Sequence, residues 1–113
     1  MKAIKQRMIK IYQRDNGENP VVSWMESLDS SIRYRIKSRL TRVTQGNFGD
    51  HEPLGDGLYE LKFKFGSGYR IYYSEVHDEI ILLLCGGDKK TQSKDIKLAR
   101  TYLTDYLQEE NHG

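Results

Sequence analysis

Long apolar runs, cysteine and proline are all scarce in this 113-residue chain. The longest uninterrupted apolar stretch is Ile80 to Cys85, far short of the ~20 residues that cross a bilayer, so no transmembrane helix fits. A single cysteine, Cys85, closes no internal disulfide, and a reducing cytoplasm is the expected setting. Inside that apolar run it reads as a small buried hydrophobe, not a reactive thiol. The opening segment MKAIKQRMIKIYQR has neither a continuous apolar stretch nor a small-residue cleavage site, which argues against a secretory signal. No Cys/His/Asp/Glu group has metal-ligand spacing, so neither a metal nor a cofactor is expected. A phosphate-binding glycine loop ahead of a helix and a nucleophile elbow are also missing. Repeats and low-complexity tracts are absent.

What is present suits one small α+β domain over residues 1–113. Hydrophobic residues make up 37% of the chain and charged residues 30%, low in apolar content yet not a disordered composition. Eight tyrosines add large apolar bodies with polar tips. Net charge is only +2, but its distribution is uneven. All 18 Lys and Arg fall in four blocks, 2–14, 33–42, 62–70 and 89–100, and Asp95 is the one acid inside them. Segregation of this kind allows a locally positive surface on a nearly neutral protein.

Periodicity supplies the elements. Residues 4–12 read as a strand, followed by a turn-rich break from Asp15 to Asn19. Asn19-Pro20 reads as an N-cap opening a helix near 20–28, with Val21, Trp24, Met25 and Leu28 on one stripe. Ser30 or Ser31 caps a second helix carrying Ile32, Ile36, Leu40 and Val43, stopped near Gly46. Residues 47–57 read as loop. Tyr59, Leu61, Phe63 and Phe65 then alternate with Glu60, Lys62 and Lys64, giving a strand with one buried and one wet face. Gly66-Ser67-Gly68 turns into a strand at 69–73, and a turn at His77-Asp78 leads to a strand at 79–85 covered on both faces. The last element, a helix over 92–108, carries Ile96, Ala99, Leu103, Tyr106 and Leu107. The order is β-α-α-β-β-β-α: an antiparallel sheet packed against an N-terminal helical hairpin and a C-terminal helix.

With Gly66-Ser67-Gly68 as the hairpin loop, Lys64 opposes Arg70 and Lys62 opposes Tyr72. Directly opposed like charges cost stability, so an anionic ligand between Lys64 and Arg70 is one reading and side chains splayed into water the other. A two-residue turn at His77-Asp78 sets Cys85 opposite Arg70 and brings Lys89 and Lys90 to the same sheet end. Cations with Tyr72 on an open sheet face suit a phosphodiester backbone with a base to stack. RNA scission needs a base for the 2′-OH, a cation for the phosphorane and an acid for the 5′-oxygen. Arg70 fits the second role, because its charge is permanent and its fork matches phosphate oxygens. Glu60, or a lysine whose pKa is lowered by neighbouring cations, suits the base. Lys89 or Tyr72 suits the developing charge or the leaving oxygen. His51, His77 and His112 fall in the loop, a turn at the opposite sheet end and the tail. On the second helix, Arg33 and Lys37 flank one side of the apolar stripe and Arg35, Arg39 and Arg42 the other. They serve either solubility or a second, salt-dependent RNA contact, chiefly through Arg35 and Arg39.

Gly57-Leu58-Tyr59-Glu60-Leu61-Lys62, Gly68-Tyr69-Arg70-Ile71-Tyr72-Tyr73, the run Leu82 to Gln92 (LLLCGGDKKTQ) and Asp95-Ile96-Lys97-Leu98-Ala99 together resemble the RelE/ParE toxin superfamily. More narrowly the chain is similar to the HigB-like addiction module killer branch, and the resemblance spans nearly the whole sequence. It implies a cytoplasmic type II toxin, a metal-independent endoribonuclease that cuts mRNA on the ribosome. It also implies neutralisation by a cognate antitoxin, a HigA-like helix-turn-helix protein. Arg70 falls on the phosphate-binding, catalytic arginine of such toxins, Lys62 on a basic strand position and Lys89 near a second catalytic basic position. Glu60 stands where relatives differ between acid and base. Asp95 lies near the place of the C-terminal tyrosine of RelE, and the histidines of other relatives have no counterpart. A ParE-like gyrase inhibitor and a non-catalytic antitoxin-binding protein are the alternatives.

Overall fold

Alternation at period 2 in the second half of the chain builds the sheet, and the computed structural model describes it within residues 6–112. The first two positions of the strand expected at 4–12 lie outside the described residues. The elements are β1 (Met8–Ile11), α1 (Pro20–Glu26), α2 (Ser30–Thr44), β2 (His51–Gly55), β3 (Leu58–Lys62), β4 (Arg70–Val76) and β5 (Ile80–Gly87). A 3-10 turn (Lys89–Thr91) then leads into α3 (Gln92–His112). Strand order is β1-β5-β4-β3-β2, with β1 parallel to β5 and the remaining pairs antiparallel.

Both sheet faces are covered. On one, α1 and α2 bring Val21, Met25, Ile36 and Val43 against Leu61, Phe63, Ile71, Tyr73, Ile81 and Leu83. On the other, Ala99 and Leu103 of α3 close over Leu58, Tyr72, Leu82, Leu84 and Cys85. The face expected to be wet is therefore buried at its centre, because the α3 stripe needs an apolar surface and takes this one. Cys85 is buried in it, with the thiol pushed up to about 12 by burial. Among the described residues no helix is long and apolar enough to cross a membrane.

Three local features differ from the sequence reading. β2 falls inside the stretch read as loop: among the described residues it is an edge strand paired only with β3, where Pro53 and a register shift between Pro53 and Gly55 are tolerated. Asn19 stands at the N-cap of α1 without making a side-chain cap bond, and Asp29, not Ser30 or Ser31, precedes α2. α2 ends near the expected stop, where Gly46 adopts φ 87° and its N–H donates to Val43 O at 2.9 Å.

The register also shifts. Lys62 opposes Arg70 and Glu60 opposes Tyr72, because the chain between β3 and β4 turns over Lys64–Gly68 rather than three residues alone. Phe63 N–H still donates to Tyr69 O at 2.9 Å. On the other side, Arg70 opposes Gly87, not Cys85: the turn takes in Glu79 and a bulge falls between Tyr72 and Tyr73.

Candidate functional site

Three chain segments meet at the sheet end where β3 and β5 finish and β4 begins. Arg70 stands at the centre of the row, between Lys62 and Gly87. Its Nε donates to Glu60 Oε1 at 2.9 Å and its Nη1 to Gly68 O at 3.0 Å. The other oxygen of Glu60, Oε2, accepts from Gln92 Nε2 at 3.0 Å, where α3 begins. Glu60 is 1% exposed and the Arg70 side chain 14%. Among the described residues Nη2 of Arg70 makes no hydrogen bond, and the side chain keeps a small exposed fraction. The guanidinium is thus clamped on two sides with one donor edge open, which pre-organises it for an anion.

The opposed cations are Lys62 and Arg70 rather than Lys64 and Arg70, and each has its own carboxylate. Lys62 Nζ lies 2.5 Å from Glu52 Oε2, and Lys64 Nζ lies 3.5 Å from Asp50 Oδ2. The hydrogen bond to Glu52 raises the pKa of Lys62. That is opposite to the lowering a lysine base would require, so Lys62 is a fixed cation near neutral pH. Lys64 is 84% exposed and lies past the end of β3.

Lys89 and Lys90 open the 3-10 turn after β5, and both are exposed. Among the described residues neither holds an ion pair. Asp88 caps the turn, accepting from Lys90 N at 2.9 Å and Thr91 N at 3.2 Å. Gly68 lets these parts converge. It adopts φ 77°, and a Cβ there would sit 3.5 Å from both Arg70 Nη1 and the Cβ of Lys89. Ser67 Oγ reaches Asp88 Oδ2 at 3.4 Å, joining the hairpin loop to the turn that carries Lys89.

Tyr72 is not on an open face. It is fully buried beneath α3, its Oη has no hydrogen-bond partner, and burial raises its pKa. No ring face is available to a base. Arg39 is likewise committed: it donates to the carbonyls of Lys62, Phe48 and Asp50 and lies 4.7 Å from the Phe63 ring centroid. Burial lowers its pKa. It fastens α2 to the end of β3 and to the segment leading into β2. Arg35 is exposed, its guanidinium 3.8 Å over Phe65 in the hairpin loop. Glu60, Lys62, Arg70 and Lys89 are therefore brought together, with Lys64, Lys90 and Arg35 around them and Tyr72 and Arg39 inside the fold.

Gln92, Glu52 and Asp95 have roles that sequence reasoning did not give them. Asp95 is buried under Gly87, accepts from Thr91 Oγ1 at 2.5 Å, and has its pKa raised by burial. His51 Nδ1 lies 2.9 Å from Gly49 O, and His77 Nε2 lies 3.0 Å from Glu110 Oε1 in the turn at the other sheet end. The carboxylates of Asp15, Asp105 and Glu109 lie within 4.8 Å of one another, a group from distant segments that sequence spacing does not reveal. There the hydrogen bond to Asp15 raises the pKa of Glu109, and Tyr12 donates to Asp105.

Comparison with known proteins agrees with this architecture. Residues 23–105 match the family described as "Phage derived protein Gp49-like (DUF891)". An uncharacterized protein of Haemophilus influenzae is 43% identical over 79 residues, covering 69% of this chain and 80% of its own length. Among solved structures, an arginine-substituted mutant of the Escherichia coli toxin RelE in the free state superposes with a TM-score of 0.57 at 17% identity. That match covers 81% of this chain and 96% of the RelE chain. The fold is RelE-like.

Proposed function

The chain belongs to the Gp49-like family of phage-derived proteins, and on that premise we propose that it is the toxin of a type II toxin–antitoxin pair, an endonuclease that cuts mRNA on the ribosome. On its motifs we place it in the HigB-like branch of RelE-like toxins. Its partners are a HigA-like helix-turn-helix antitoxin and the mRNA-bearing ribosome, and its setting is the cytoplasm.

One observation carries the reading: Arg70 is held by Glu60 and Gly68 with a donor edge open, beside Lys62 and Lys89. In the proposed reaction the 2′-oxygen attacks phosphorus and the bond to the 5′-oxygen breaks, leaving a cyclic phosphate and a 5′-hydroxyl. Arg70 and Lys62 offset charge on the phosphorane. Lys89, exposed in the turn after β5, donates the proton that the 5′-oxygen takes as it leaves. Glu60 is enclosed with both oxygens occupied, so it positions Arg70 and does not act as base. The proton of the 2′-hydroxyl passes to solvent. Lys64, Lys90 and Arg35 hold flanking phosphates.

Expression of wild type and Arg70→Ala in a bacterial host, with mRNA 5′ ends mapped after induction, tests the proposal. Wild type is expected to arrest growth and create new 5′ ends within reading frames, and Arg70→Ala to do neither while remaining folded. Equal toxicity of the two, or arrest without new ends, overturns it. Inhibited supercoiling with translation initially intact would mark a gyrase inhibitor, and harmless expression with tight antitoxin binding a non-catalytic protein.

A further inference from the structure

On the sheet face that α2 covers, two of its arginines share a cleft in which no carboxylate stands. Arg39 and Arg42 line this space of about 120 Å³ together with Asn47 and Gly49, where the chain leaves α2 for β2. Arg39 is half-buried, and its two terminal nitrogens donate to the carbonyls of Lys62, Phe48 and Asp50. A buried charge that is hydrogen-bonded but unpaired keeps part of its desolvation cost. Among the described residues Arg39 forms no ion pair. Asp50, the acid whose field reaches it, lies with Oδ2 3.5 Å from Lys64 Nζ. Arg42 stands in the last turn of α2, exposed, and among the described residues its side chain holds neither a carboxylate nor another acceptor. Burial lowers the pKa of Arg39 and the charge of Arg42 lowers it further, against a raising contribution from Asp50.

The helix end does not account for Arg42. A cation in a last turn favours the dipole, but the carbonyls it would cap are taken. Gln45 N–H and Asn47 N–H donate to Arg42 O at 3.0 and 2.9 Å, and Gly46 N–H donates to Val43 O at 2.9 Å. Asn47 is exposed and its side-chain amide makes no hydrogen bond among the described residues, so it sets a neutral donor beside the cations. Gly49 closes the cleft from the other side. It adopts φ 67°, and a Cβ there would come within 3.1 Å of Arg39 Nε and Nη2, so bare backbone lies directly against the guanidinium. Two guanidiniums, an amide and backbone around about four water volumes, at ~30 Å³ each, match one tetrahedral oxyanion. We propose that this cleft binds a single phosphate group, held by the Arg42 guanidinium and the Asn47 amide against the fixed charge of Arg39. The site is built from α2 and the segment leading into β2, so it rests neither on Arg70 nor on RNA cleavage.

The test uses the full chain, isotope-labelled for NMR, with inorganic phosphate exchanged for chloride at constant ionic strength. Expected are saturable shifts at the Asn47 and Gly49 amides and the Arg42 guanidinium, unchanged in Arg70→Ala. Arg42→Ala, at an exposed position and with its fold checked by circular dichroism, is expected to weaken binding about tenfold. Asn47→Asp, which sets a carboxylate in the cleft, is expected to abolish it. Lys37→Ala removes the same charge elsewhere on α2 and is expected to change nothing. No saturation at these resonances, or their loss in Arg70→Ala, overturns the proposal. Equal weakening by Arg42→Ala and Lys37→Ala also overturns it, since that marks diffuse charge. Two further ligands, read on the same resonances, separate the sources of the group. Binding of adenosine 5′-monophosphate but not of a uridine trinucleotide without terminal phosphates assigns the cleft to a free nucleotide. Binding of the trinucleotide, weakened by Arg42→Ala, assigns it to an RNA strand. Binding of neither overturns the proposal, because no phosphate-bearing molecule then reaches the cleft. None of these measurements depends on RNA cleavage or toxicity.

Discussion

Arg70 and Gln92 share one carboxylate: Glu60 accepts from Arg70 Nε at 2.9 Å on one oxygen and from Gln92 Nε2 at 3.0 Å on the other. The first residue of α3 therefore helps set the side chain at the centre of the cationic end. In Glu60→Gln the amide that replaces one oxygen must face a donor, from Arg70 or from Gln92, and Arg70 loses its counter-charge. The expected cost is about 2 kcal/mol in urea unfolding, with RNA cleavage reduced because the guanidinium shifts. The pH dependence of residual cleavage is expected to keep its wild-type shape. Loss of an acid limb in that profile would instead make Glu60 the base.

Tyr72 gives the opposite expectation. Its hydroxyl is buried without a partner, so wild type bears a desolvation cost that Phe does not. Tyr72→Phe is expected to be neutral or to stabilise the fold by up to about 1 kcal/mol, and to keep full toxicity. Collapse of cleavage at unchanged stability would return Tyr72 to the chemistry.

Arg39 and Arg35 separate structure from RNA contact on one helix. Arg39 satisfies three backbone carbonyls around the start of β2 and the end of β3. Arg39→Ala is expected to cost about 3 kcal/mol of stability, and Arg39→Lys to restore little of it, because one ammonium does not span the fork geometry. Arg35→Ala, at an exposed position, is expected to leave the urea midpoint within about 0.5 kcal/mol of wild type while weakening binding to ribosomes at low salt. If the two variants exchange these phenotypes, the division of labour on α2 is wrong.

The sequence carries Arg70, Lys62 and Lys89 openly, as charges at the ends of strands whose alternation is clean. The register error at β3–β4 did no harm to faces, because a slip of two residues returns each side chain to the same side. It changed which lysine opposes Arg70. Burial of Glu60 and Tyr72 was not legible, since alternation separates two faces without saying that α3 covers the second. Nor were Glu52 and Gln92: their roles depend on an edge strand disguised by Pro53 and on where the first turn of α3 docks. Side-chain pairings between distant segments follow from packing, and one chain's periodicity does not contain them.

Asp95 offers a pH test of that docking. Burial raises its pKa above the ordinary 3.8 even though Thr91 donates to it. Its folded form thus holds a proton more tightly than its unfolded form. Well below pH 3.8 both states are protonated and the group contributes nothing to the balance. As pH rises from there through the raised folded value, the unfolded chain ionises first and stability falls; above that value the loss is constant. Asp95→Asn keeps an acceptor for Thr91 and has no charge to bury. Urea midpoints of the two proteins are therefore expected to coincide in strong acid and to separate in favour of the asparagine variant as pH approaches neutrality. A gap that opens in favour of aspartate would mean that its charge is stabilised at the start of α3 more than burial penalises it.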